Sequence, residues 1–308
     1  MRLIDSPPKG WHAVTGANMN SIVPNARLIH LHNQDIVIRD TQGVGPIALL
    51  IHGWCADGLL NWAPDYLALH QAGWRVIGID LPGHGGTPLV GKFSLTACAD
   101  LLAKLLKKMH IKSVTTVGYS MGGPVSQLLA QRHPDLVDGM VFAATAARVI
   151  HTSVPRSSMR LLPALFHASS TAQALTRAIT RNPPPAPDDS SLVSHAARIA
   201  TAMDHHALLD AARELADFDS RMWVGTLNKP AVSIITTHDH AVPEAAQHDL
   251  ATRLNAKELV IDLGHIACTR AEFPTVLVNA LALLPYSPTP PPPPALPSTD
   301  RSSITTTP

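Results

Sequence analysis

A serine set between glycines can be an activated nucleophile if the chain turns sharply around it. Gly118-Tyr119-Ser120-Met121-Gly122 has that pattern. It follows the β-branched run Ser113–Val117 and opens onto Pro124–Ala130, where the apolar spacing is helical. At a strand–turn–helix junction the serine adopts a strained backbone to project its hydroxyl, and small neighbours prevent clashes. A serine hydroxyl is a weak nucleophile by itself, so it needs a base, and the base needs an orienting acid. His265, in Leu263-Gly264-His265-Ile266, is the base candidate. Asp239, in Asp239-His240-Ala241-Val242-Pro243, is the acid candidate, with Pro243 placed to begin a helix. Each lies just past a predicted strand, where open α/β sheets gather their sites. The chemistry these types support is nucleophilic attack on an acyl carbon.

The elements that must position them can be read from hydrophobic period. Alternation in Ala26–His32 and Gln34–Asp40 predicts an opening hairpin turning at His32-Asn33. Pro46–Gly53 is an unbroken apolar run, as expected of a strand buried on both faces. A helix over 61–72, a strand over 75–80 and a helix over 97–109 precede the nucleophile strand and its helix. Another strand follows at 139–144. Strand character returns at 231–237 and 258–262, with helices between and after them, the last running to about Leu284. This alternation predicts a mostly parallel sheet covered by helices on both faces.

The alternation stops between about Arg148 and Trp223. Helical pattern is expected over 156–167, 171–180 and 190–215, broken by Asn182-Pro183-Pro184-Pro185-Ala186-Pro187. The domain reading is therefore a first core part over 1–147 (from about residue 27), a helical cap over 148–223, a second core part over 224–285, and a tail over 286–308. That tail is rich in Pro, Ser and Thr and holds the unbroken run Pro290–Pro294. It reads as a solvated, extended or disordered segment, the alternative being a ligand for a polyproline-binding partner. In the cap, Met159, Leu161, Leu162, Leu165 and Phe166 are expected both to pack on the core and to wall the pocket.

Composition narrows the class. A chain of 308 residues that is 45% hydrophobic and 15% charged can bury a full core. A net charge of +1, with Lys and Arg scattered, gives no case for nucleic acid. Residues 1–10 carry no apolar run suited to a signal peptide, and no stretch reaches bilayer-spanning length. A cytoplasmic enzyme is the expectation, with peripheral lipid contact left open. Cys55, Cys98 and Cys268 are read as reduced core thiols. His238-Asp239-His240 offers at most two ligands on one strand face and no third of convincing spacing, so no metal is expected. His205-His206 is read as a polar helix surface, and His52 and His84 as loop residues with local hydrogen bonds. Met121 is expected to bring its side chain to substrate, and Asn61-Trp62 to line the pocket on the side that would hold the oxyanion.

Five motifs in order resemble the α/β-hydrolase superfamily, over roughly residues 27–285. They are His52-Gly53-Trp54, Asp80-Leu81-Pro82-Gly83-His84-Gly85, the elbow with its extra Gly123, Asp239-x-x-Val242-Pro243, and Gly264-His265. The order Ser, Asp, His is also that of the superfamily. The resemblance implies an α/β-hydrolase fold with a helical cap and no cofactor. It implies Ser120 as nucleophile, His265 as general base and then acid, and Asp239 as the acid that orients it. The backbone N–H groups of Trp54 and Met121 would form the oxyanion hole. Relatives that are dehalogenases or epoxide hydrolases carry Asp at the nucleophile, and serine cannot replace a carboxylate in that chemistry. A serine esterase acting on a small acyl substrate, lipid-derived or of medium chain length, is the leading expectation. Arg148, Arg156 and Arg160 are the candidates should the substrate be acidic. Carbon–carbon bond hydrolysis of ring-cleavage products and non-catalytic ligand binding remain as alternatives.

Overall fold

The computed structural model describes residues 23–148, 195, 199 and 203–285. The helices expected over 156–167 and 171–180, the proline break, Arg156, Arg160, the apolar cap residues and the tail lie outside the described residues.

Eight strands form one sheet: β1 Ala26–Leu31, β2 Gln34–Asp40, β3 Ile47–Ile51, β4 Arg75–Ile79, β5 Val114–Tyr119, β6 Val137–Ala143, β7 Ala231–Thr236 and β8 Lys257–Ile261. Their spatial order is β1-β2-β4-β3-β5-β6-β7-β8. The β1–β2 hairpin and the β2–β4 pair are antiparallel, and the remaining pairs are parallel. β5, the nucleophile strand, is central and buried along its whole length, whereas β8 at the edge is mostly exposed.

Successive side chains of a strand point to opposite faces, and two apolar layers result. Ile47, Leu49 and Ile51 of β3 face one layer, and Ala48 and Leu50 face the other. The first layer is completed by α2 (Leu95–Lys108), α3 (Gly122–Arg132) and α5 (Glu244–Leu254). The second is completed by α1 (Ala63–Gln71) and α6 (Phe273–Ala282). The sequence thus places its elements within a few residues of their observed ends.

One helix departs from expectation. The pattern over 190–215 predicts a continuous helix, but the chain is extended at Asp204 (φ −67°, ψ 112°), and α4 begins after it, over His205–Asp217. The reason is local: the Asp204 carboxylate accepts from the N–H groups of His206 and Ala207 at 2.8 and 3.1 Å, which caps a new helix. Ala207, Ala211 and Leu215 of α4 join the first apolar layer. His206 lies exposed on its first turn.

The chain passes from β3 to β4 on one side and then, through α2, crosses back to β5 on the other side of β3. A crevice at the carboxyl ends of these strands follows from that reversal. The loop after β3 and the turn after β5 both open into it.

Candidate active site

The turn after β5 is held by close backbone packing. Ser120 has φ +48°, a left-handed conformation unusual for a residue with a side chain. Its N–H donates to the Ala143 carbonyl at 3.0 Å. Its own carbonyl accepts from Gly123 N–H at 2.9 Å and from the Thr145 hydroxyl at 2.8 Å. These bonds over-determine a conformation that costs about 1–3 kcal/mol. A Cβ on Gly122 would lie 2.0 Å from the Ile51 carbonyl oxygen, and one on Gly118 would lie 2.6 Å from that of Gly122. Glycine is required at both by the closeness of neighbouring backbone.

Three side chains from three loops meet. The Ser120 hydroxyl lies 3.0 Å from His265 Nε2. His265 Nδ1 lies 2.8 Å from Asp239 Oδ2. The ring nitrogen facing a carboxylate carries the proton, so Nε2 is left to accept from Ser120. Asp239 Oδ1 accepts from the N–H groups of Ala241 and Val242, both at 2.8 Å, and Oδ2 also accepts from the Thr236 hydroxyl at 3.0 Å. Burial pushes this carboxyl up, but the bonds from His265 and from Val242 and Ala241 outweigh it and hold Asp239 below the usual carboxylate range.

Two positioning contacts are not evident from the motif pattern. Gln247 of α5 is fully buried and its amide ties together Thr236 and Val242: Oε1 accepts from Thr236 N–H at 3.0 Å, and Nε2 donates to the Val242 carbonyl at 2.8 Å. A polar residue among buried Ala246, Leu250 and Ala251 on an apolar helix face was the available signal. The second is Tyr119, whose hydroxyl donates to the His265 carbonyl at 2.6 Å.

The loop after β3 brings Gly53 against the nucleophile: a Cβ built there would lie 3.3 Å from Ser120 Cβ. Gly53 N–H donates to Asn61 Oδ1 at 2.9 Å, so Asn61 supports this loop from a buried position, whereas Trp62 is fully buried in the second apolar layer and does not line a pocket, contrary to expectation. Trp54, next in the chain, is 44% exposed and its indole N–H donates to the Leu208 carbonyl of α4 at 3.2 Å. His52 braces the loop from below. Its Nδ1 lies 2.8 Å from the Gly53 carbonyl and its Nε2 accepts from Leu81 N–H at 2.9 Å, which fixes a neutral tautomer. Burial lowers the pKa of His52, and burial next to His52 lowers that of His84 to about 3. Asp80 ties this loop to the one after β4, accepting from Gly58 N–H and Gly86 N–H, both at 2.9 Å. Asp57 accepts from Leu59 and Leu60 N–H and meets His195 Nε2 at 2.7 Å.

Several expectations are corrected. The Met121 side chain is fully buried in the first apolar layer, so it is not presented to substrate. Cys55 is exposed, on a left-handed residue of the loop after β3, while Cys98 and Cys268 are buried free thiols. Residues 238–240 lie past the end of β7 and not on a strand face; His238 Nε2 lies 2.5 Å from Asp262 Oδ1, while Asp239 turns to His265. No group of three metal-ligating side chains occurs among the described residues. A cavity of about 320 Å³, bordered by Pro46, Arg75, His110, Lys112 and Asp138, opens at the opposite end of the sheet and contains none of the three converging side chains.

A model of the alpha/beta hydrolase fold matches residues 46–269. The chain belongs to the α/β-hydrolase family. This α/β hydrolase is 30% identical over 222 residues to a pimeloyl-[acyl-carrier protein] methyl ester esterase of Chromobacterium violaceum, covering 70% of this chain and 84% of that one. It is 30% identical over 230 residues to the protein of the same description from Vibrio vulnificus, covering 72% and 87%. Among solved structures it resembles an enol-lactonase from Burkholderia xenovorans, with TM-score 0.69 and 23% identity over 83% of this chain and all of that one. A hydrolase from Pseudomonas aeruginosa gives TM-score 0.70 at 19% identity, over 83% and 97%. The chain is thus an ester-cleaving hydrolase of this fold. No helix among the described residues is long and apolar enough to cross a membrane.

Proposed function

We propose that this hydrolase cleaves carboxylic esters through an acyl-enzyme on Ser120. The observation that carries the reading is the unbroken chain of short contacts from Ser120 Oγ to His265 and on to Asp239. His265 Nε2 takes the hydroxyl proton as Oγ attacks the ester carbonyl. The N–H groups of Trp54 and Met121 receive the oxyanion, Met121 standing at the amino end of α3, where the helix favours negative charge. His265 then gives its proton to the leaving alcohol. It next deprotonates a water that attacks the acyl-enzyme and frees the acid. Asp239 holds the tautomer and stabilises the imidazolium.

The substrate we infer is an ester of a medium-length, largely apolar acyl group with a small alcohol. Two features favour it: exposed apolar side chains next to the reacting groups, Trp54 at 44% and Ile266 at 61%, and relatives described as methyl ester esterases of a carrier-bound acyl chain. The α4 tie to Trp54 supports a covering element over the site, the role assigned to residues 148–223.

The test is turnover of methyl and p-nitrophenyl esters of graded acyl length, with fluorophosphonate labelling read by peptide mass. The reading predicts labelling at Ser120, best turnover at medium chain length and loss of both in Ser120→Ala. Turnover that survives Ser120→Ala would overturn the mechanism. Activity confined to vinylogous ketone acids would favour carbon–carbon hydrolysis. Tight ligand binding without labelling would favour a binding protein.

A further inference from the structure

We propose that Tyr119 is a positioning residue that sets the catalytic reach of His265 from beneath. The proposal rests on the esterase reading above and concerns how that site keeps its geometry. Tyr119 is the residue before the nucleophile, so its backbone fixes Ser120 from one side. Its side chain runs the other way across β5 into the second apolar layer and is 3% exposed. There the hydroxyl donates to the His265 carbonyl at 2.6 Å and accepts from Cys268 N–H at 3.3 Å. One hydroxyl therefore grips both ends of the short segment 265–268. A single residue links the strand that carries the nucleophile to the loop that carries the base.

The ring is held so that this grip is rigid. It meets Trp62 edge-on at 5.9 Å and 87°, and Phe273 at 5.8 Å and 77°. Both partners are fully buried. The loop it anchors has lighter support of its own: Ile266 is 61% exposed, and the turn is closed by Ala267 N–H to the Gly264 carbonyl at 3.0 Å and by the 3-10 turn Ala267–Thr269. Asp239 fixes the direction of the His265 ring. Tyr119 fixes the backbone from which that ring hangs. Loss of the hydroxyl unpairs the part-buried His265 carbonyl and the buried Cys268 N–H at once, and the loop must shift to satisfy them. A displacement near 1 Å at a reacting group is enough to cost about 100-fold in rate.

The experiment is Tyr119→Phe, which keeps the ring, assayed well below its Tm. We expect kcat to fall about 10- to 100-fold, KM to stay within about twofold, and fluorophosphonate labelling of Ser120 to slow by the same factor as kcat. The low-field proton NMR signal of His265 Nδ1–H should broaden or shift. 4-Aminophenylalanine at 119 restores a donor and should recover most of the rate. 4-Fluorophenylalanine fills the same space without donating, keeps the test alive if the Phe variant folds poorly, and should stay slow. Leu277→Ala, in the same apolar layer, serves as a variant of lowered stability that keeps its kcat. A Tyr119→Phe protein with lowered Tm but unchanged kcat, labelling rate and proton signal overturns the proposal and leaves the tyrosine a packing residue. If the wild-type protein is itself neither labelled nor active on esters, the esterase reading fails. The proton signal, which needs no substrate, then still decides the role of Tyr119.

Discussion

At the scale of single residues, catalytic competence depends on one proton being in one place. Asp239 keeps it on Nδ1 of His265, so that Nε2 is free to accept from Ser120. Asp239→Asn keeps the shape but can reverse the tautomer, and its kcat should fall about 10⁴-fold with little change in KM. The same carboxyl also has a stability signature. Its pKa is lower folded than unfolded, so it stabilises the fold above its unfolded value near about 4, and that stabilisation is lost as pH falls through the lowered folded value. Thermal melts should therefore show Asp239→Asn less stable than the wild type at pH 7, with the difference narrowing below about pH 4. Ser120, Asp239 and His265 are legible in the sequence because each ends a recognisable strand. Tyr119 and Gln247 are harder to read, since their partners lie 146 and 11 positions away and only folding makes them neighbours. Met121 departs from expectation for a related reason: a residue at the elbow can face the pocket or the core, and the turn sends its side chain into the core.

At the scale of elements, the site gathers loops from the carboxyl ends of β3, β5, β7 and β8, and the two around the nucleophile, after β3 and β5, depend on tight packing. Gly122→Ala drives a methyl group into the Ile51 carbonyl, 2.0 Å away, which the main chain cannot avoid without moving Ser120. Its kcat should drop about 100-fold and its Tm should fall, read in the same preparation by ester assay and differential scanning fluorimetry. The loop after β3 has its own supports in Asn61, His52 and Asp80. Asn61→Ala strands the Gly53 N–H next to Ser120. It should cost about 1–3 kcal/mol in stability by chemical denaturation. The motifs His52-Gly53-Trp54 and Asp80–Gly85 mark these loops in the sequence, but which donor meets which acceptor does not follow from them. The break before α4 was likewise written in Asp204, a strong capping residue, but the apolar period on either side disguised it.

At the scale of the whole molecule, the fold follows from runs of apolar residues long enough to be buried on both faces of a sheet. β3 announces itself in this way, β5 and β7 by β-branched runs that are buried along their whole length, and the edge strand β8 by the short apolar run Leu259–Ile261. The interior nevertheless contains a charge problem that no pattern reveals. Asp65 of α1 is fully buried, and neither carboxyl oxygen has a hydrogen-bond partner among the described residues. Burial raises its pKa well above the usual value. A carboxyl whose folded pKa is raised carries no ionisation cost below its unfolded value, and that cost grows as pH rises toward the folded value. Asp65→Asn should accordingly raise Tm at pH 8 and change it little at pH 4; the opposite pH dependence would mean that Asp65 is ionised and stabilising.

The central claim is that ester cleavage passes through a covalent acyl group on Ser120. It is tested most directly by mixing the enzyme with a medium-chain p-nitrophenyl ester, quenching in acid within the first turnover and measuring intact and peptide mass. A mass increase equal to the acyl group, confined to the peptide bearing Ser120 and missing from Ser120→Ala, is the predicted result. Release of p-nitrophenol with no acyl adduct in the burst, or an adduct on another residue, would contradict it.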